Sequence, residues 1–190
     1  KGTDLHKAGF LGENMIIAVF DAGFRKVNEL SLFAELFKNE QVIYTKDLVD
    51  LERNVYDDDD HGLHVFGCMA ANKPSKMIGA APAAEYVLIR TESNTYETWL
   101  EELNWVRAAE IADSMGVDVI NSSLGYNHFD EKRLNHSHAD LDGKTTYISR
   151  GAAIAATRGM LVVNSAGNDG NKSWGKLDFP ADVEDILVVG

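Results

Sequence analysis

The chain has 190 residues, 45% of them hydrophobic and 25% charged, which is the composition of an ordinary globular protein with a sizeable core. Its 30 acidic and 18 basic residues give a formal charge of −12, which argues against nucleic acid or an anionic membrane surface as a partner. No run reaches the roughly 20 apolar residues that a membrane span needs, and the single cysteine, Cys68, excludes an internal disulfide. We expect one domain over residues 1–190, with Cys68 as a small core residue.

Short apolar runs alternate with helical patterns along the chain. The first run, 15–20, is aliphatic on both faces and predicts a buried strand. Helices are predicted at 61–72, 97–115 and 148–157, where apolar residues recur at helical spacing before Gly or Pro. This alternation predicts an α/β fold of three layers, a mostly parallel β-sheet with helices on both faces. Further buried strands are predicted at 41–45, 86–89, 117–120, 160–163 and 186–189.

Three polar groups follow or precede these elements at points where they could meet. Asp21 ends the first strand before Ala22-Gly23, His61 opens an apolar helix, and Asn168 closes a Gly-containing turn after the strand at 160–163. Each alone is as common in structural turns as in active sites, but their joint order is harder to reach by chance. The carboxyl ends of parallel strands share one edge of a sheet, where ligands collect. A carboxylate, an imidazole and an amide brought together there predict an acyl-transfer site.

The same motifs resemble those of the subtilisin-like serine proteases, and the resemblance runs over nearly the whole chain. The Asp-[Ser/Thr]-Gly motif of that family is matched by residues 21–23, and its His-Gly-Thr-His-Val-Ala-Gly motif by residues 61–67. The resemblance implies a subtilisin-like fold with Asp21 as the orienting acid, His61 as the general base and Asn168 as the oxyanion donor.

The resemblance also implies a substrate cleft that binds an extended peptide as an added strand. Residues 123–125 would pair with the peptide backbone, 165–167 would form the opposite wall of the primary specificity pocket, and 91–93 would supply the other edge. The implied cleft residues are Thr91, Glu92, Ser93, Ser123, Leu124, Gly125, Ser165, Ala166 and Gly167.

The chain departs from the family pattern at three positions near the site. Ala22 lacks the usual hydroxyl, so a hydrogen bond beside Asp21 is expected to be missing, and Leu63 and Phe66 should alter the packing behind His61. By the same resemblance, His64 is expected to be buried and structural. A cis peptide bond is expected between Phe179 and Pro180.

The largest departure concerns the nucleophile. The family's serine lies in Gly-Thr-Ser-x-Ala-x-Pro, and none of the serines of this chain has that context. We therefore expect residues 1–190 to be the N-terminal portion of a longer peptidase, without the serine-bearing helix and inactive alone. The missing C-terminal segment of the domain would then be a partner, beside a peptide or protein substrate. The resemblance implies a serine endopeptidase as the parent, secreted, periplasmic or on the cell surface; the alternative is a non-catalytic pseudoprotease or peptide-binding module.

Other sites are weaker alternatives. A thiol nucleophile at Cys68 beside His64 stays open. The acidic run 57–60 suggests a metal site, as do three histidines and two aspartates of the polar segment 126–146, namely His128, His136, His138, Asp130 and Asp140, although a solvated loop is the default. We assign no catalytic metal and no required cofactor. The resemblance allows a structural calcium at 168–178, and a lone glycine after the first strand argues against a nucleotide-binding loop.

Overall fold

The computed structural model describes residues 2–190. Six parallel strands form one sheet, and two short strands form an antiparallel hairpin beside it. The strands are β1 (Ile16–Asp21), β2 (Val42–Asp47), β3 (Asn72–Lys73), β4 (Met77–Ile78), β5 (Glu85–Arg90), β6 (Val119–Ser122), β7 (Leu161–Ser165) and β8 (Leu187–Val189). The order across the large sheet is β2-β5-β1-β6-β7-β8, so β1 lies inside it with β5 and β6 as parallel neighbours.

Helices cover both faces of this sheet, which confirms the predicted α/β fold. They are α1 (Gly2–Lys7), α2 (Ala34–Lys38), α3 (His61–Ala70), α4 (Leu100–Ser114) and α5 (Tyr147–Thr157). The predicted strands and the three long helices are present, with shifted ends. Helices α1 and α2 and the hairpin were not predicted, because they are too short to show a periodic pattern. None of the helices within residues 2–190 is long and apolar enough to cross a bilayer.

Two apolar cores form because neighbouring side chains of a strand point to opposite faces. Along β1, Ile17 and Val19 face one core and Ala18 and Phe20 face the other. The first core packs against α2 and α3, and the second against α4 and α5. Strand β1 is therefore covered on both faces, and its carboxyl end is a fixed point from which Asp21 projects.

Helix α3 contradicts two expectations. Gly62, Phe66 and Ala70 recur every four residues and are buried against the sheet. His64 and Cys68 lie two residues out of phase with that stripe, so both are exposed, and the predictions that they are buried were wrong. The cis bond expected between Phe179 and Pro180 is present.

Strand β8 lies at the edge of the sheet and is not buried as predicted. Leu187 is 50% exposed and Val189 54%, and only β7 pairs with this strand. The polar segment 126–146 is ordered around two short 3₁₀ turns, Lys132–Leu134 and His138–Asp140.

Candidate active site

Asp21 and His61 form a hydrogen-bonded pair between the end of β1 and the start of α3. His61 Nδ1 lies 2.8 Å from Asp21 Oδ1, and the carboxylate is fully buried whereas the imidazole is half exposed. Oδ1 also accepts the backbone N–H of Ala22 at 2.8 Å, and Asp59 Oδ1 accepts the backbone N–H of His61 at 2.8 Å. Because a carboxylate only accepts, Nδ1 carries the proton in the neutral ring, and Nε2 is left as a base toward solvent.

The pair shifts the protonation of both partners. The hydrogen bond to Asp21, and the negative charges of Asp21, Glu92 and Asp59, raise the pKa of His61 above its ordinary value against the effect of partial burial. Burial raises the pKa of Asp21, and its contact with His61 opposes that rise. The arrangement therefore favours the imidazolium that forms when His61 takes a proton.

Two glycines allow the turn after β1 to touch the start of α3. A Cβ on Gly62 would lie 2.3 Å from the carbonyl oxygen of Gly23 and 3.0 Å from Asp21 Cβ. A Cβ on Gly23 would lie 2.3 Å from the carbonyl oxygen of Asp58. The acid and the base meet because no side chain separates these backbone segments.

Arg90 is a buried residue that connects three segments around the Asp21–His61 pair. Its side chain is 7% exposed; Nε donates to the Ala22 carbonyl at 2.8 Å, and Nη1 contacts Asp47 Oδ2 at 3.0 Å and Asp58 Oδ2 at 3.2 Å. One guanidinium thus joins the turn after β1, the end of β2 and the segment before α3. Sequence reasoning missed this role, because the three partners lie far apart in the chain.

The predicted cleft residues largely come together. One cleft is lined by Ala22, Asp59, His61, Glu92, Ser93, Asn94, Glu97, Ser123, Leu124, Gly125 and Asn168. Asn168 and Gly125 are exposed in it, and the structure gives Gly125 no backbone hydrogen bond inside residues 2–190. Thr91 lies beneath the cleft, fully buried, with its N–H donated to the Asp21 carbonyl.

A second cavity adjoins the first on the side of Asn168. Its walls are the predicted ones, residues 123–125 on one side and Ser165 with Gly167 on the other. Ala166 does not line it; its backbone is bonded to Val189 and Asp178. The remaining lining residues, Glu97, Asn127, His128, Asp169, Lys172 and Asp178, were not predicted as cleft residues.

The cleft is acidic on the side of β5. The Tyr126 hydroxyl donates to Glu92 Oε2 at 3.0 Å, and burial raises the pKa of Glu92 to about 7. Burial and neighbouring carboxylates raise the pKa of Glu97 to about 8. Glu101 on α4 is 1% exposed and accepts the backbone N–H groups of Ser93 and Thr98.

The departures from the family motifs have visible effects. Asp21 Oδ2 is buried without a hydrogen-bond partner in residues 2–190, as expected from the missing hydroxyl at Ala22. Phe66 is fully buried; its ring stacks on Phe33 at 5.1 Å and meets Tyr86 edge-on at 4.9 Å. An aromatic cluster thus fills the space behind the base.

The histidines of the polar segment do not converge. His136 contacts Glu102, His138 Nε2 lies 2.8 Å from the carbonyl oxygen of Trp174, and His128 contacts the side chain of Asn127. Within residues 2–190 no group of three or more His, Cys, Asp or Glu side chains is arranged to bind a metal.

The segment at which the resemblance allows a structural calcium offers a poor donor set. Asp169 pairs with the Lys172 ammonium group at 2.6 Å, and the Asp178 carboxylate accepts from the Asn127 amide. A hard cation prefers several convergent carboxylate and carbonyl oxygens, which these paired groups do not present.

Two serines, Ser93 and Ser123, line the part of the cleft that contains His61, and neither bonds to the base. Ser93 Oγ lies 2.9 Å from Thr95 Oγ1, and Ser123 Oγ accepts the Asn121 amide at 3.2 Å. No serine hydroxyl of the described chain is hydrogen-bonded to His61 Nε2.

Comparison with known proteins gives one consistent result. The model of the subtilase family matches residues 12–190. Subtilisin E of Bacillus subtilis (strain 168) is 30% identical over 199 residues, which cover 100% of this chain and 44% of that protein. The C5a peptidase of Streptococcus pyogenes serotype M18 is 29% identical over 216 residues, which cover 97% of this chain and 18% of that protein.

Solved structures agree in fold. The prenylagaramide maturation protease PagA superposes with a TM-score of 0.71 at 20% identity, over 100% of this chain and 57% of that chain. MycP1 with its N-terminal propeptide removed gives 0.66 at 20% identity, over 100% of this chain and 61% of that chain. The chain spans less than half the length of the curated relatives named above.

Proposed function

The chain belongs to the subtilase family, and from that premise we propose that residues 1–190 form the acid–base and oxyanion part of a serine endopeptidase. The observation that carries the proposal is the hydrogen bond of 2.8 Å between Asp21 and His61, beside a cleft that also contains Asn168. An oriented imidazole with a free Nε2 and a nearby amide donor are the groups that acyl transfer requires.

The chemistry of each group is as follows. His61 Nε2 accepts the proton of a serine hydroxyl as that oxygen attacks the peptide carbonyl, and later returns it to the leaving amine. Asp21 keeps the imidazole in the tautomer with Nδ1–H and stabilises the imidazolium. The Asn168 side-chain amide donates to the oxyanion of the tetrahedral intermediate.

The substrate is a peptide in extended conformation. The exposed backbone of Gly125 has no hydrogen bond within residues 2–190, so it can pair with a peptide as an additional strand. Backbone pairing binds varied sequences, and side-chain pockets then set the preference.

We propose that the nucleophile is not one of the serines of residues 1–190, and that this chain alone does not hydrolyse peptides. Ser93 and Ser123 line the cleft, but their hydroxyls bond to other side chains and not to His61. A longer natural chain would supply the serine on the helix that completes the domain, and it would act outside the cytoplasm or at the cell surface. A structural calcium at 168–178 has little support, because Asp169 is paired with Lys172 and no group of three or more acidic side chains converges within residues 2–190.

Labelling with a fluorophosphonate probe tests the function. In the natural protein that carries these residues, we expect one labelled serine and hydrolysis of casein. His61→Ala should lower kcat/KM by at least about 10³-fold. His64→Ala, an exposed histidine one turn along the same helix, is the matched control and should change little.

Two other outcomes decide against parts of the proposal. A folded natural protein that is neither labelled nor active, yet binds peptides, would be a pseudoprotease. Labelling of Ser93 or Ser123 in the 190-residue chain would show that the nucleophile lies within it.

A further inference from the structure

The second cavity of the cleft has a carboxylate between its two walls. Tyr126 and Phe179 exchange two backbone hydrogen bonds of 3.0 Å, which set the neighbouring Asp178 opposite Gly125. A Cβ on Gly125 would lie 2.7 Å from Asp178 Cβ, and a Cβ on Gly167 would lie 2.0 Å from Asp178 Oδ2. Both wall positions therefore need glycine to admit the Asp178 side chain.

The Asp178 carboxylate is buried and fixed in place. The residue is 6% exposed, and the Asn127 amide donates to Oδ1. Burial raises the pKa of Asp178, whereas the hydrogen bond from Asn127 opposes the rise. This neutral donor orients the carboxylate without cancelling its charge.

The charges around the cavity are unbalanced. The carboxyl groups of Asp169, Asp178 and Glu97 line it, and the pKa of about 8 leaves Glu97 largely protonated at pH 7. The basic side chains beside them are those of Lys172 and His128. Lys172 pairs with Asp169 at 2.6 Å and is 63% exposed, so it sits at the rim and neutralises the rim carboxylate. Asp178 has no basic side chain within salt-bridge distance in residues 2–190.

The size and polarity of the cavity fit one long polar side chain. Its volume is about 300 Å³, at the lower end of ligand pockets, and its lining is mostly polar. An apolar side chain would remove water from Asp178 without replacing its interactions, which is unfavourable. An ammonium or guanidinium group would instead form a charge-assisted hydrogen bond.

We propose that Asp178 makes this pocket select a lysine or arginine side chain, carried by the substrate residue on the acyl side of the scissile bond. The proposal rests on the proposed function, because the pocket adjoins Asn168, the oxyanion donor, and the peptide-pairing residues 123–125. A carboxylate in the primary pocket of a protease selects basic side chains for the same electrostatic reason.

A binding experiment tests the selection without any hydrolysis. We would titrate the ¹⁵N-labelled 190-residue chain with acetyl-Ala-Ala-Arg-amide and with the same peptide carrying citrulline, a neutral isostere of arginine. The arginine peptide should bind at least about 10-fold more tightly and shift the amides of Gly125 and Gly167. Equal affinities would overturn the proposal, and this comparison needs no variant.

Two substitutions locate the effect. Asp178→Asn should abolish the preference for arginine over citrulline, whereas Asp113→Asn, the same charge change on the exposed face of α4, should preserve it. If a folded Asp178→Asn protein keeps the preference for arginine over citrulline, another acidic residue causes that preference and the proposal is overturned.

Hydrolysis by the natural protein separates this proposal from the proposed function. There kcat/KM should be about 100-fold higher after arginine than after leucine, and Asp178→Asn should remove most of that ratio. Cleavage that favours leucine in both proteins would overturn the selection and leave the function standing. No cleavage of any peptide, with the arginine preference intact in binding, would overturn the function and leave the selection standing.

Discussion

Different interactions hold two walls of the cleft. The first wall carries Asp21 and His61, and the second wall carries Gly167 and Asn168. On the first wall, backbone meets backbone at Gly23 and Gly62, and a buried guanidinium ties the segments together. On the second wall, side-chain amides and carboxylates bond to one another, and a bridge of two backbone hydrogen bonds joins Tyr126 to Phe179.

The difference follows from what each wall does. Proton transfer depends on one distance, which close backbone packing can fix to a fraction of an ångström. A specificity pocket must instead present polar groups that can still form hydrogen bonds with a ligand. It is therefore built from side chains whose polar atoms a ligand can reach. Substitutions should accordingly cost more stability on the first wall than on the second.

The largest expected effect is that of Arg90→Met. Removing the guanidinium leaves the Asp47 carboxylate buried without its partner, so the free energy of unfolding should fall by about 4 kcal/mol. Lys172→Met removes an exposed ion pair on the second wall and should leave no resolvable change. Urea unfolding followed by circular dichroism measures both variants. Similar losses of stability in the two would contradict the claim that the first wall is the more sensitive one.

Gly62→Ala should have the next largest effect on stability. Its methyl group would overlap the Gly23 carbonyl, and we expect a loss of about 3 kcal/mol in the free energy of unfolding. Gly67 lies in the same helix with only ordinary contacts around its Cβ position, so Gly67→Ala should gain up to about 1 kcal/mol. A tolerated Gly62→Ala would show that close packing does not fix the acid–base distance.

Titration of His61 tests the electrostatics of the first wall. NMR should give a pKa above 6.5 in the 190-residue chain and a lower one in Asp21→Asn, because the carboxylate hydrogen bond is the main cause of the rise. Since the folded pKa exceeds the unfolded one, the stability from this pair is complete below pH 6.5 and is lost as pH rises through the folded pKa. An unchanged pKa in Asp21→Asn would contradict the pairing.

Ala22→Ser is the smallest expected effect and has the opposite sign. A hydroxyl at this buried position could donate to the unpartnered Asp21 Oδ2, and the free energy of unfolding should rise by about 1 kcal/mol. Ala18→Ser is the control, since Ala18 is equally buried among apolar side chains and a hydroxyl there should destabilise. Loss of stability in both variants would mean that Oδ2 is satisfied in another way.

The sequence predicted the first wall better than the second. Asp21 and His61 stand in short motifs at the ends of periodic elements, so their positions follow from the course of one strand and one helix. Asp178 enters the pocket only because Tyr126 bonds to Phe179, and no local pattern predicts a contact between residues 53 positions apart.

Burial on the helices was the least predictable feature. Glu101 and Glu102 have the composition of a solvated face, yet both are 1% exposed, because loop backbone and His136 supply their partners. Cys68 was expected in the core from its apolar neighbours, but the phase of α3 turns it to solvent. In each case a tertiary partner or the helix phase, rather than residue type, decided burial.

The place of β1 in the sheet has a consequence for local unfolding. Because β1 is bonded on both edges and covered on both faces, its amides should exchange with deuterium only when the whole domain opens. The turn at 168–178 has fewer backbone bonds and should open and close many times in that interval. Asp21 would then stay buried each time the turn at 168–178 opens. A substrate could therefore enter and leave while the Asp21–His61 hydrogen bond stays intact.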